Sequence, residues 1–112
     1  MGKLGFFKGL LRANAKVLGD IEGPMTHVKS GKMPLSVIEG KLTMWAVGME
    51  DTILNKADVQ ELAYLSTQNV KDLASGGGKV YTVNIYRIVT AKGSGVLRAV
   101  AGTETELMSF LK

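Results

Sequence analysis

The chain has 112 residues, of which 46% are hydrophobic and 21% are charged, a size and composition typical of one globular domain. Its strongest uncharged apolar run, residues 42–49, is far shorter than the ~18 residues that a bilayer-spanning helix needs, and Lys8 and Arg12 interrupt the one stretch that resembles a secretory signal. Cysteine is absent, which excludes disulfides, thiol nucleophiles and thiolate metal sites. We therefore expect a cytoplasmic protein without a transmembrane segment or a cofactor.

The net charge of +4 lies entirely in the first part of the chain. Residues 1–32 carry six basic and two acidic side chains, whereas the remaining residues carry eight of each sign. Evenly mixed charge is typical of a solvated surface and provides no continuous basic stripe for a phosphate backbone. We therefore expect no nucleic-acid partner.

Residues 1–22 are predicted to form a basic amphipathic helix. With 100° of rotation per residue, the large apolar side chains between residues 4 and 21 fall within one arc of about 160°. These are Leu4, Phe6, Phe7, Leu10, Leu11, Val17, Leu18 and Ile21. Lys8, Arg12 and Lys16 lie on the opposite side, and Gly23-Pro24 ends the pattern.

This predicted helix needs a covering surface. It contains four glycines, each of which costs about 1 kcal/mol relative to alanine inside a helix, so the helix is marginal by itself. Its apolar face can be covered by its own domain, by a second copy or by a membrane interface. The candidate interaction surface consists of Phe6, Phe7, Leu10, Leu11, Lys8, Arg12 and Lys16.

Beyond Pro24 the pattern changes to short apolar or β-branched runs separated by glycine-containing turns, which predicts successive strands. The predicted strands are residues 25–28, 35–38, 41–47 and 52–54, with turns at Ser30-Gly31, Gly40, Gly48 and Glu50-Asp51. Trp45, in the densest apolar run, is expected in the core.

The sequence of the last third of the chain predicts a hairpin followed by a short helix. Residues 79–90 combine β-branched and aromatic residues in the strongest strand signal, and residues 92–95 form a turn into a strand over 96–101. Thr103 and Glu106 match a capping box for a C-terminal helix. Its apolar face consists of Leu107, Met108, Phe110 and Leu111.

Residues 57–75 have two interpretations. As a helix, Asp58 is the N-cap, Glu61 completes a box, and the glycines at residues 76–78 stop it. In the strand interpretation, polar and apolar residues alternate only loosely over residues 58–66. The local pattern favours the helix, and both interpretations stay open.

The order of these signals resembles small bacterial proteins with a pleckstrin-homology-like fold. The resemblance covers roughly residues 25–112 and is carried by residues 27–35 (HVKSGKMPL), the run 41–54, residues 55–59, the long strand from Lys79 and the hairpin that closes on a short helix. It implies an α+β, mostly β domain: a strongly bent antiparallel sheet or small barrel, capped by the C-terminal helix. It also implies a strand at residues 58–65, and a binding platform instead of an enzyme.

Some proteins with this fold bind phosphoinositides through the pattern Lys-x(n)-[Lys/Arg]-x-Arg on their first hairpin. Lys32 and Lys41 have a usable spacing, but Thr43 stands where the pattern requires arginine. The residues therefore argue against a lipid-headgroup site of this kind.

Residue types that carry catalysis are scarce. His27 is the only histidine, and no serine lies in Gly-x-Ser-x-Gly. Glu50 and Asp51 are neighbours, which point to opposite faces in a strand. Residues 75–79 (SGGGK) lack the rest of a phosphate-binding loop. We expect no enzymatic activity.

Two functions follow as hypotheses. The first is a non-catalytic binding or self-association module, whose partner is another protein or a second copy. The alternative is a peripheral membrane protein at the inner face of the membrane, anchored by residues 1–22. They differ in whether Phe6, Phe7, Leu10 and Leu11 are covered by protein.

Overall fold

The structure is a computed structural model, and it describes residues 16–23, 31–45, 51–71 and 79–112. Within these residues the chain forms seven strands, a 3-10 turn at Lys56–Asp58 and one α-helix, α1, at Glu104–Leu111. The strands are β1 Val17–Glu22, β2 Lys32–Ile38, β3 Lys41–Met44, β4 Thr52–Ile53, β5 Val59–Val70, β6 Tyr81–Thr90 and β7 Gly93–Val100. The mostly β class is confirmed.

The strands form one open antiparallel sheet in the order β4-β3-β2-β1-β7-β6-β5. The first strand therefore lies at the centre, between β2 and the last strand. Among the described strands β4 and β5 are the two edges and do not pair with each other, so this part of the chain forms an open sheet and not a closed small barrel. The two ends of the sheet still approach each other, because Met44 and Thr52 line the same cavity as Thr90 and Lys92.

The core lies between one face of this sheet and α1. Its buried residues are Leu18, Ile21, Met33, Leu35, Leu42, Met44, Leu54, Ile88, Leu97, Ala99, Leu107 and Leu111. Leu107 and Leu111 are buried, and Met108 and Phe110 pack against the same cluster, so the predicted apolar face of the helix is confirmed. Trp45 is only half-buried, and its indole Nε1 donates a hydrogen bond to Ser36 Oγ over 3.0 Å.

The predicted N-terminal helix is wrong over residues 17–22, because Val17–Glu22 is strand β1. The bulge between Val17 and Gly19 explains the misleading pattern. A bulge breaks the two-residue alternation of a strand, so Leu18 and Ile21 both reach the core although they are three residues apart, as on a helix. The sheet consequently begins well before residue 25. The rest of the predicted helix, and the predicted strand over 25–28, lie outside the described residues.

The helix interpretation of residues 57–75 is wrong over Val59–Val70, where strand β5 confirms the strand interpretation. Residues 72–75 lie outside the described residues. β5 is shifted in register against β6 between Val59 and Glu61 and again between Tyr64 and Ser66. Two bulges within one strand disrupt its alternation of polar and apolar residues, which is the pattern that identifies a strand in a sequence.

The turns differ from their predictions in detail. Glu39 and Gly40 both have positive φ, 52° and 75°, as a two-residue hairpin turn of type I′ requires, so the turn at Gly40 is confirmed. The turn between β6 and β7 is Ala91-Lys92, and the predicted turn residues from Gly93 onward belong to β7.

The predicted capping box of α1 is wrong. Thr103 makes no side-chain cap, because its Oγ1 lies 2.9 Å from the carbonyl oxygen of Leu18 and 2.7 Å from that of Val100. The hydroxyl therefore ties the start of the helix to the central strands.

Candidate functional site

The outer edge of β5 is the most distinctive surface of the sheet. β5 is twelve residues long and pairs with β6, and no other described strand pairs with it. Its sequence, VQELAYLSTQNV, carries one charge, Glu61, and no proline or glycine. Edge strands of natural sheets are commonly short, interrupted or charged, which discourages other strands from pairing with them. Apart from its bulges and the single charge of Glu61, β5 has none of these features.

Two large apolar side chains lie at the middle of this edge. Tyr64 is 57% exposed and Leu65 is 54% exposed. The register shift between Tyr64 and Ser66 leaves Leu65 outside the ladder with β6. Two adjacent exposed side chains of this size at the centre of a strand form a small apolar anchor beside unpaired backbone groups.

Side-chain contacts on both faces hold β5 against β6. On the face shared with α1, the ring of Tyr64 packs edge-on against Tyr86, with 5.7 Å between the ring centroids. On the other face, Arg87 Nη2 forms a half-exposed ion pair with Glu61 Oε1 at 2.8 Å. Because the strand is fixed in an extended conformation, a partner does not need to order it.

A chain of hydrogen bonds leads from Tyr64 to the helix. The hydroxyl of Tyr64 donates to Thr67 Oγ1 over 2.6 Å, and Thr67 Oγ1 donates to Asn84 Oδ1 over 2.5 Å. The amide nitrogen of Asn84 then donates to Glu104 Oε1 of α1. This network connects the exposed centre of β5 to the first turn of the helix.

Glu104 also accepts a second hydrogen bond, from the hydroxyl of Tyr86 to its Oε2 over 3.1 Å. Burial raises the pKa of Tyr86, and the hydrogen bond and negative charge of Glu104 raise it further. The Tyr86 hydroxyl is therefore held in its neutral, donating form.

A second surface feature is a cavity of about 310 Å³ between β4 and the β6–β7 turn. Its volume is at the lower limit for small-molecule sites. Two of its polar side chains are engaged in the neighbouring turns: Asp58 accepts a hydrogen bond from the Asn55 amide, and Thr90 Oγ1 accepts one from the Lys92 amide. We therefore place the candidate site at the β5 edge.

The predicted interaction surface lies almost wholly outside the described residues. Lys16 is exposed immediately before β1, whereas Phe6, Phe7, Lys8, Leu10, Leu11 and Arg12 are outside them. His27 and the loop before Lys79 are also outside.

Lys32 and Lys41 do not form a joint site. Lys41 lies opposite Ile38 at the turn of the β2–β3 hairpin, and Lys32 begins β2 at the other end. The length of β2 separates them by about 20 Å at 3.3 Å per residue. Thr43, at the position expected for arginine, is buried.

The sequence pattern does not identify the β5 edge, because over residues 57–75 it favours a helix. The feature that identifies this edge is a run of twelve residues with one charge and no proline or glycine. This feature is informative only when the segment is known to be an edge strand.

Comparisons with known proteins find no match: no family model, curated protein or solved structure is significantly similar to the chain. Among the described residues, no helix is long and apolar enough to cross a membrane. In the same part of the chain, no group of three or more acidic or histidine side chains is arranged to hold a metal ion.

Proposed function

We propose that this chain is a non-catalytic binding module of pleckstrin-homology-like shape, which binds an extended protein segment along β5. The observation that carries the proposal is the edge itself: twelve residues with one charge and with Tyr64 and Leu65 exposed at the centre. An added strand gains hydrogen bonds from the backbone edge, and its side chains gain contact with the central anchor.

The antiparallel sheet and the C-terminal helix support the pleckstrin-homology-like part of the proposal. The residue inventory supports the non-catalytic part, because the chain has one histidine and no cysteine.

A labelled peptide with the sequence of residues 59–70 tests the proposal. It matches the edge in length, and its sequence forms an extended strand in the folded chain. We expect saturable binding of this peptide to the full chain in fluorescence anisotropy. The variant Leu65→Lys should lose most of this binding, since it places a charge at the centre of the edge. Ile53→Lys is the matched control, because Ile53 is 40% exposed on the opposite edge, and this variant should bind normally.

Absence of peptide binding at concentrations where the chain is a monomer, or equal binding to both variants, would refute this proposal.

Association with an anionic membrane is the second candidate function, favoured by the position of the net charge. The excess of +4 lies in residues 1–32, and Lys16, the described basic residue next to β1, is exposed. Each basic residue near an anionic surface contributes about 1 kcal/mol, and this contribution is screened by salt.

Sedimentation of the full chain with anionic and with neutral vesicles tests this second function. Salt-sensitive binding to the anionic vesicles that is weakened by Lys8→Glu and Lys16→Glu would establish it. Equal sedimentation with both vesicle types would refute it.

A further inference from the structure

Among the described strands, the best-matched partner for β5 is the β5 of a second copy. A segment that pairs along a twelve-residue edge must itself be extended, unpaired on one side and poor in charge. β5 meets all three conditions within this chain. The other edge strand, β4, has two residues and is too short to be the partner.

We propose that two copies of the chain pair through β5 in antiparallel orientation, so that their two sheets join into one continuous sheet. This inference rests on the proposed function, since it names the segment that binds the edge. The pairing is isologous: each copy contributes the same edge, so the assembly closes as a dimer.

The bulge in β5 determines where the two-fold axis passes. Leu62 and Tyr64 lie opposite Ile88 and Tyr86, and Thr67 and Asn69 lie opposite Asn84 and Thr82. These four β6 residues are two apart in sequence and share one face, so the four β5 residues opposite them share it too. Across the bulge, the face therefore passes from even-numbered to odd-numbered residues.

Residues directly opposite in an antiparallel pair must point to the same face. An axis between Leu65 and Ser66 meets this condition, because it places Tyr64 opposite Thr67 of the second copy and Leu62 opposite Asn69. The exposed Leu65 of each copy then lies beside the axis, where the two leucines meet.

This register also avoids repulsion between charges. Glu61, the single charge of β5, lies opposite Val70 of the second copy, and the two Glu61 side chains are on opposite sides of the axis. No like charges face each other in the paired strands, which would destabilise the pairing.

Single cysteine variants test the register directly, because the chain has no cysteine of its own. Beside the axis, the two Cα atoms of residue 65 are about 6 Å apart, within the range for a disulfide. Leu65→Cys should therefore form a disulfide-linked dimer under mild oxidation. Val70→Cys is the control: its two copies are separated by about nine residues along the strands, roughly 30 Å, and should stay unlinked.

The oligomeric state of the full chain is measured by light scattering over a range of concentrations. We expect twice the monomer mass for the unmodified chain and for Ile53→Lys. Leu65→Lys places two like charges next to each other at the axis and should raise the dimer dissociation constant at least about tenfold.

Three outcomes would overturn the inference: a monomer at every concentration, equal cross-linking of the two cysteine variants, or a dimer that Leu65→Lys leaves intact. Peptide binding by a monomeric chain would leave the proposed function standing and refute only the self-pairing. Failure of both measurements would refute both.

Discussion

Asp20 on β1 and Arg98 on β7 lie directly opposite each other and form a two-point ion pair, although they are 78 positions apart in the chain. Arg98 Nε donates to Asp20 Oδ1 over 2.7 Å, and Arg98 Nη2 donates to Asp20 Oδ2. The side chains are 2% exposed for Asp20 and 12% exposed for Arg98. A carboxylate buried to this extent depends on the guanidinium that faces it.

Removal of one side chain of the Asp20–Arg98 pair should therefore lower the stability of the fold. We expect Arg98→Met to lower the free energy of unfolding by about 3–5 kcal/mol, since the buried Asp20 carboxylate loses its facing charge. The double variant Asp20→Leu with Arg98→Met should recover much of this loss, because two apolar side chains replace the pair. Urea denaturation of the three proteins measures both effects.

The exposed pair on β5 and β6 is the control. Arg87→Met should cost no more than about 1 kcal/mol, because Arg87 and Glu61 are half-exposed. Equal losses for the two arginine variants would contradict the structural importance of the Asp20–Arg98 pair.

Gly19 permits the close approach of β1 and β7. A Cβ atom at this position would lie 1.9 Å from the carbonyl oxygen of Arg98, and a backbone atom cannot move aside without distorting the strand. We expect Gly19→Ala to destabilise the fold by about 3 kcal/mol or more, at the upper end of overpacking effects.

Gly40→Asn is the comparison for Gly19→Ala. Gly40 has a φ of +75°, and a Cβ atom at this position would have no atom within 4 Å. Asparagine tolerates this conformation, so the melting temperature of this variant should be close to that of the unmodified chain. Thermal unfolding measured by circular dichroism compares the two, and an unchanged melting temperature for Gly19→Ala would contradict the close approach.

The hydroxyl of Thr103 should contribute to stability through its contacts with the carbonyls of Leu18 and Val100. Thr103→Val keeps the shape but removes the donor, and we expect a loss of about 1–3 kcal/mol in the free energy of unfolding. Thr105→Val, at an exposed position of α1, is the matched substitution and should change little. Chemical denaturation that showed equal losses would contradict a role for this hydroxyl.

Stability should decrease at high pH because of Tyr86. Its pKa in the folded chain is raised by burial and by Glu104, whereas in the unfolded chain it ionises near pH 10. This stabilising contribution is complete below about pH 10 and is lost as the pH rises from there toward the folded pKa.

Tyr86→Phe should reduce the loss of stability above about pH 10, and Tyr64→Phe supplies the comparison with the neighbouring tyrosine. Denaturation of each variant at pH 8 and at pH 11 measures the difference. An identical pH dependence for Tyr86→Phe and the unmodified chain would show that Tyr86 does not contribute.

The regular parts of the fold could be predicted from local patterns. The strands β2, β3, β4, β6 and β7 and the helix α1 all lie within or close to predicted segments. In these segments the alternation or the helical face is intact, so neighbouring residues along the chain contain the necessary information.

The remaining elements depend on contacts that no local window contains. In β1 and β5, bulges disturb the alternation, and the bulge beside Leu18 produces the spacing of a helix. Asp20 is buried opposite Arg98, and the strand order that brings the two together is not contained in the residues around Asp20. The candidate edge likewise exists because β5 is last in the sheet, which its own sequence does not specify.

The central position of β1 has a consequence for synthesis on the ribosome. Its two neighbours are β2, made soon afterwards, and β7, made last among the strands. At about 5–20 residues per second, the 78 residues that follow Asp20 up to and including Arg98 take roughly 4–16 s to translate. During that time one side of β1, which lies at the centre of the finished sheet, is an unpaired edge. Asp20 then has no Arg98 opposite it. The centre of the sheet can therefore be completed only after β7 has been made, and until then the backbone groups on that side of β1 are open to pairing with other strands.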